Sequence, residues 1–83
     1  MVNWSAFDPR EYEISFNDDK LAVHDITRWD VMEVLWNGIY TTRDKKYRNR
    51  YRVRGRTDAG QPLELIAVDL GGRNLRFITG WRI

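Results

Sequence analysis

Arginine stands at every second position from 48 to 56, and this constrains the chain more than any other feature. Side chains alternate faces along a β-strand. An extended "YRNRYRVRGRT" over 47–57 therefore puts Arg48, Arg50, Arg52, Arg54 and Arg56 on one face. Tyr47, Tyr51 and Val53 share the other face, which favours the core for both tyrosines. The strand runs from about Tyr47 to Thr57, where the turn residues Asp58, Gly60 and Pro62 follow.

The remaining segments supply what such a strand packs on. "NWSAFDPREYEISF" has an Asp8-Pro9 turn signal, then Tyr12, Ile14 and Phe16 at strand spacing. "NDDKLAVHDI" reads as a short helix capped by Asn17 or Asp18, with Leu21 inward. "ITRWDVMEVLWNG" is a second helix. Thr27 is its N-cap, Asp30 completes a capping box, and Gly38 stands where a C-cap glycine belongs. Val31, Val34, Leu35 and Trp36 form its apolar stripe.

After Gly38 the apolar period changes from helical to alternating. "IYTTR" is a short strand before a charged turn at 44–46, and "LELIAVDL" is a central strand covered on both faces. Gly71-Gly72 makes a tight reversal. "NLRFITGWRI" then closes the chain, with Leu75, Phe77, Thr79, Trp81 and Ile83 on one face and Arg76, Ile78, Gly80 and Arg82 on the other. The expectation is one domain over 1–83 of α+β class. Two N-terminal helices pack on one face of a three- to four-stranded antiparallel meander. Its core gathers Val31, Val34, Leu35, Val53, Leu65, Ile66, Val68, Leu75, Phe77 and Trp81.

Charge divides the chain. Residues 1–42 carry eight acids against three bases, and residues 43–83 carry eleven bases against four acids. The basic half suits phosphate chains or an acidic partner, and the acidic half discourages non-specific adhesion. There is no cysteine, hence no disulfide and no thiolate nucleophile, and the single histidine gives a metal little to hold. No metal or other cofactor is expected. No apolar run approaches a membrane span and no signal-peptide pattern opens the chain, so a soluble cytoplasmic protein is expected.

If the helices cover the face of Tyr51 and Phe77, the other face carries Arg48 to Arg56 with Arg76 and Arg82. Arginine grips phosphate oxygens with a planar, permanently charged fork. RNA also brings its own nucleophile, the 2′-hydroxyl. A ribonuclease need only position the strand, move protons and stabilise charge. His24 and Tyr47 are side chains of suitable type for proton transfer, and Lys45 or Lys46 would need a lowered pKa. Structural roles compete with these. A charged strand face guards against edge-to-edge aggregation, and the arginines can pair with Glu64 or Asp69. His24 also fits the end of a helix as a cap.

"HDITRWDVMEVLWN", "RYRVRGRTDAGQPLELIAVDL" and "GGRNLRFITGW" together resemble the BrnT-type toxins of bacterial toxin–antitoxin pairs, ribonucleases of RelE-like fold. The family's K-H-G-V helix end is matched by His24-Asp25-Ile26, with Asp for Gly. Its F-x-E-A-x-x-V-F helix is matched by Trp29, Val31 and Val34-Leu35. G-R-T-x-x-G is present as Gly55-Arg56-Thr57-Asp58-Ala59-Gly60. The closing R-I-I-S-A-R strand is matched over Arg76 to Gly80, with Trp81 on the family's arginine. The opening helix is built differently, and the chain closes at Ile83 in place of a basic tail. It is similar, too, to small bacterial domains of unassigned function that end in an I-T-x-x-R strand. The resemblance implies RNA binding on the arginine face, metal-independent cleavage with Arg76, His24 and Tyr47 as candidates, and a cognate antitoxin. A non-catalytic protein-interaction module on the same fold is the alternative.

Overall fold

Capping side chains decide where this chain leaves extended backbone. In a computed structural model that describes residues 2–83, Asn17 accepts a hydrogen bond from the Lys20 amide and starts helix α1 (Asp18–Val23). Thr27 and Asp30 exchange reciprocal side-chain-to-backbone bonds at the head of helix α2 (Arg28–Trp36). Asn37 and then Gly38, at φ +88°, end that helix. Strand β1 (Glu13–Phe16) precedes both helices, and β2 (Tyr40–Arg43), β3 (Arg50–Arg56), β4 (Pro62–Gly71) and β5 (Asn74–Arg82) follow. Among the described residues no helix is long and apolar enough to cross a membrane.

The strands form one sheet in the order β1-β5-β4-β3-β2. From β2 to β5 it is the expected antiparallel meander. The expectation of three to four antiparallel strands is corrected by β1, which adds a fifth strand parallel to β5. The alternation of Tyr12, Ile14 and Phe16 marks a strand, but its mate lies at residues 74–77, which no local pattern announces. Both helices lie on one face. A Cβ at Gly55 would stand 2.8 Å from Val34 Cγ1 of α2, and one at Gly80 would stand 2.6 Å from Leu65 Cδ2 on the neighbouring strand and 3.4 Å from Ile26 Cδ1 in the link between the helices. Between helices and sheet, Leu21, Val31, Val34, Val53, Leu63, Leu65, Leu75 and Phe77 are fully buried.

Other expectations fail at identifiable places. The register between β4 and β5 shifts after Ile66/Ala67, which pair with Thr79 and Phe77 and leave Ile78 without a partner. Such a bulge reverses which face later side chains take. Phe77 and Gly80 therefore point to the helices, while Trp81 emerges half-buried opposite Glu64 on the other side. Arg82 pairs with the buried Leu63, bonds the Asp25 carbonyl and Gln61 on the helix side, and leaves the arginine face. Ile66 and Val68 are half-buried, because β4 is covered on one face only, and Leu63 and Ala67 fill the core in their place. Trp36 is 53% exposed. Finally, β3 begins at Arg50, since the Arg50 amide bonds the Tyr47 carbonyl in a turn. That turn holds Arg48 and leaves Tyr47 exposed rather than in the core.

Candidate nucleic-acid interface

The side of the sheet away from the helices is ordered into three rows that cross the strands. The first is Tyr40, Arg54, Glu64 and Trp81, on β2, β3, β4 and β5 in turn. The second is Thr42, Arg52, Ile66 and Thr79. The third is Arg50, Val68, Arg76 and Ser15, ending on β1. Arg56 extends the β3 line beyond the first row, opposite Pro62. Successive outward arginines on β3 are spaced about 7 Å apart, the repeat of two strand residues.

One carboxylate organises the middle of this surface. The Glu64 side chain is only 4% exposed, with the Arg54 Nε 2.6 Å from one oxygen and the Arg52 Nη1 3.6 Å from the other. A buried carboxylate is costly unless paired, so two guanidinium groups meet over it. Arg54 spends its Nε edge on Glu64, and both arginine side chains stay about half exposed, at 51% and 56%. Glu64 thus positions the arginines and reduces the positive field without cancelling it. Arg50 lies 4.1 Å above the Tyr47 ring, and Arg56 donates to the Gly60 carbonyl. Arg48 and Arg76 make no hydrogen bond or ion pair among the described residues.

Five of the acids lie in the helix layer. Asp18, Asp19, Asp25, Asp30 and Glu33 all belong to α1, α2 or the link between them. The Arg28 guanidinium holds the Asp18 carboxyl below the usual carboxylate range, with a smaller contribution from Arg76. On the open side, Asp44 is also held low, first by the amides of Lys46 and Tyr47 and then by the charges of Arg52 and Arg50.

Of the sequence-derived candidates, Arg50, Arg52, Arg54, Arg56 and Arg76 share the open face, and Arg48 sits in the turn that leads to it. His24 caps α1 and is exposed in the link to α2, on the helix side. Tyr47 lies before β3 beside Arg50, and Arg50 stands two strands from Arg76, about 10 Å away. The structure does not bring Arg76, His24 and Tyr47 together. It adds Tyr40, 71% exposed at the sheet edge, and Trp81. Parity in "IYTTR" places Tyr40 with Thr42, but only the β2–β3 register sets it beside Arg54. Such a surface can neutralise and align phosphates while offering aromatic faces to unpaired bases. Compared with protein-family models, with curated proteins and with solved structures, the chain matches none.

Proposed function

We propose that this protein binds single-stranded RNA across its open sheet face. The observation that carries the reading is the three-row register, which groups Arg50, Arg52, Arg54 and Arg76 with Tyr40 and Trp81 on one uncovered surface. Guanidinium forks suit phosphate oxygens. Aromatic rings suit bases that are not already stacked in a duplex, which favours a single strand. The choice of RNA, a RelE-like kinship and a cognate antitoxin rest on the BrnT-type resemblance. An acidic antitoxin would compete with RNA for the arginines. If the toxin chemistry is present, Arg76 is our candidate to stabilise charge on the scissile phosphate, because it stands in the third row of the open face and makes no hydrogen bond or ion pair among the described residues.

A second reading, a protein-interaction module, is favoured by Ile66 and Val68. They put half-buried apolar surface between the arginines, as protein interfaces do. Titrating a labelled, unstructured oligoribonucleotide at two salt concentrations tests the first reading. Binding that weakens steeply with salt supports it, and no binding at low salt overturns it.

A further inference from the structure

At the β2 edge of the open face, the turn between β2 and β3 borders a pocket of about 690 Å³ lined by Thr42, Arg43, Asp44, Lys45, Lys46, Tyr47 and Arg52. We propose that this pocket receives the phosphorylated end of an RNA strand. A terminal phosphomonoester sits against Lys45, Lys46 and Arg52, with its nucleoside beside the Tyr47 ring. The inference rests on the RNA reading and specifies which end of the strand the face holds.

Four observations carry it. First, Thr42 and Arg52 are direct cross-strand partners in the second row, so the pocket is continuous with the arginine surface. Second, the turn is fixed from both sides. Asp44 accepts the amides of Lys46 at 2.7 Å and Tyr47 at 3.1 Å, and its own amide bonds the Arg50 carbonyl at 2.9 Å. The lysines and the tyrosine are therefore presented on a prearranged backbone, which lowers the entropy lost on binding. Third, cations lie over the ring itself, with Arg50 at 4.1 Å and the Lys46 Nζ at 5.5 Å from its centroid. A phosphate next to a base beside Tyr47 would lie within that positive field. Fourth, the volume falls in the range of small-molecule sites, and β2 is the last strand of the sheet. A strand following the rows outward ends there.

The charge state of the ligand decides between a chain end and a chain interior. A terminal monoester carries nearly two negative charges at neutral pH, whereas an internal diester carries one. Asp44 is the one acid lining the pocket, and its Oδ1 is already engaged by two backbone amides. Four lining cations, Arg43, Lys45, Lys46 and Arg52, against it favour the doubly charged end.

The experiment compares three oligoribonucleotides of one sequence by fluorescence anisotropy: 5′-phosphorylated, 3′-phosphorylated, and hydroxyl at both ends. One phosphorylated form should bind about tenfold tighter than the hydroxyl form, the scale of one charge-assisted contact. Whichever form wins identifies the end. The double variant K45Q/K46Q, with its fold checked by circular dichroism, should lose that gap. Equal affinity for all three strands overturns this inference while leaving RNA binding intact. A gap that survives in K45Q/K46Q overturns it as well, because the phosphate is then held elsewhere. Absence of binding by all three overturns both this inference and the RNA reading.

Discussion

The two sides of this sheet come from alternate residues of the same strands, yet they are built to different ends. On the helix side, β3 to β5 present Val53, Leu65, Leu75 and Phe77, all fully buried, with Gly55 and Gly80 notched so that α2 and the link before it can settle. On the other side, the same strands present arginines around one buried carboxylate, and no helix covers them. Burial of apolar area supplies the stability, so the covered face should govern folding. The open face is then free to hold charge that a core could not accept. Damage to the two faces should separate in experiment.

The largest effect is expected at Phe77. Truncation of this fully buried ring to alanine should cost about 3–5 kcal/mol in denaturant unfolding. Trp81, which is as large but half-buried on the open face, should cost clearly less when truncated, about 1–2 kcal/mol. Equal losses would erase the distinction between the faces. Next in size, G80A forces a Cβ to within 2.6 Å of Leu65 Cδ2 and 2.9 Å of the Glu64 carbonyl, so overpacking should cost about 1–3 kcal/mol. The same substitution at the unhindered Gly38 acts through its positive φ alone and tests backbone strain separately.

Glu64 bears on both faces, because its buried carboxylate costs stability unless paired and also sits beneath the open-face arginines. E64Q removes the charge that Arg52 and Arg54 share, and should lower stability by about 1–2 kcal/mol. It also raises the net charge of the open face, so RNA affinity should rise while stability falls. A parallel fall in both, measured on protein that is fully folded, would mean that the positioning of the arginines by Glu64 outweighs the positive field it removes.

How much of this was readable beforehand depends on how local each signal is. The arginine strand, both helix starts and the α+β class follow from spacing and capping within a few residues. Thr27 with Asp30 and Asn17 with Lys20 form the bonds that their identities suggest. What escaped depends on pairing. The bulge at Ile78 has no residue signature, because "RFITGW" alternates equally well with or without it, and it alone moves Trp81 out and Arg82 in. The parallel mate of β1 lies at the other end of the chain. Glu64 could be named as an arginine partner from its charge. That it would be buried on an otherwise open face required three strands to meet around it.

The smallest effect concerns pH. Asp44 is held below its ordinary carboxylate value by the amides of Lys46 and Tyr47 and by nearby arginine charge. A depressed carboxyl contributes order that is present above its unfolded value and is lost as pH falls through the folded one. Below that point the 44–47 turn should loosen while the rest of the fold stays intact. Faster amide exchange at Lys46 and Tyr47 on acidification, corrected for intrinsic rates, would show it. Protection that is unchanged across that range would remove Asp44 as the fastener of the turn.

The division of labour between the faces is tested most directly by replacing Arg50, Arg52 and Arg54 together with glutamine and measuring RNA affinity against salt. On a single strand each neutralised phosphate adds about −0.7 to the slope of log affinity against log salt, so the triple variant should bind more weakly and flatten the slope by about 2. The variant should lose stability because Glu64 is left without its two guanidinium partners, so affinity is compared on protein whose circular dichroism spectrum is native-like. Wild-type affinity and an unchanged slope in the folded triple variant would contradict RNA binding by this face and leave the arginine row as protection against aggregation.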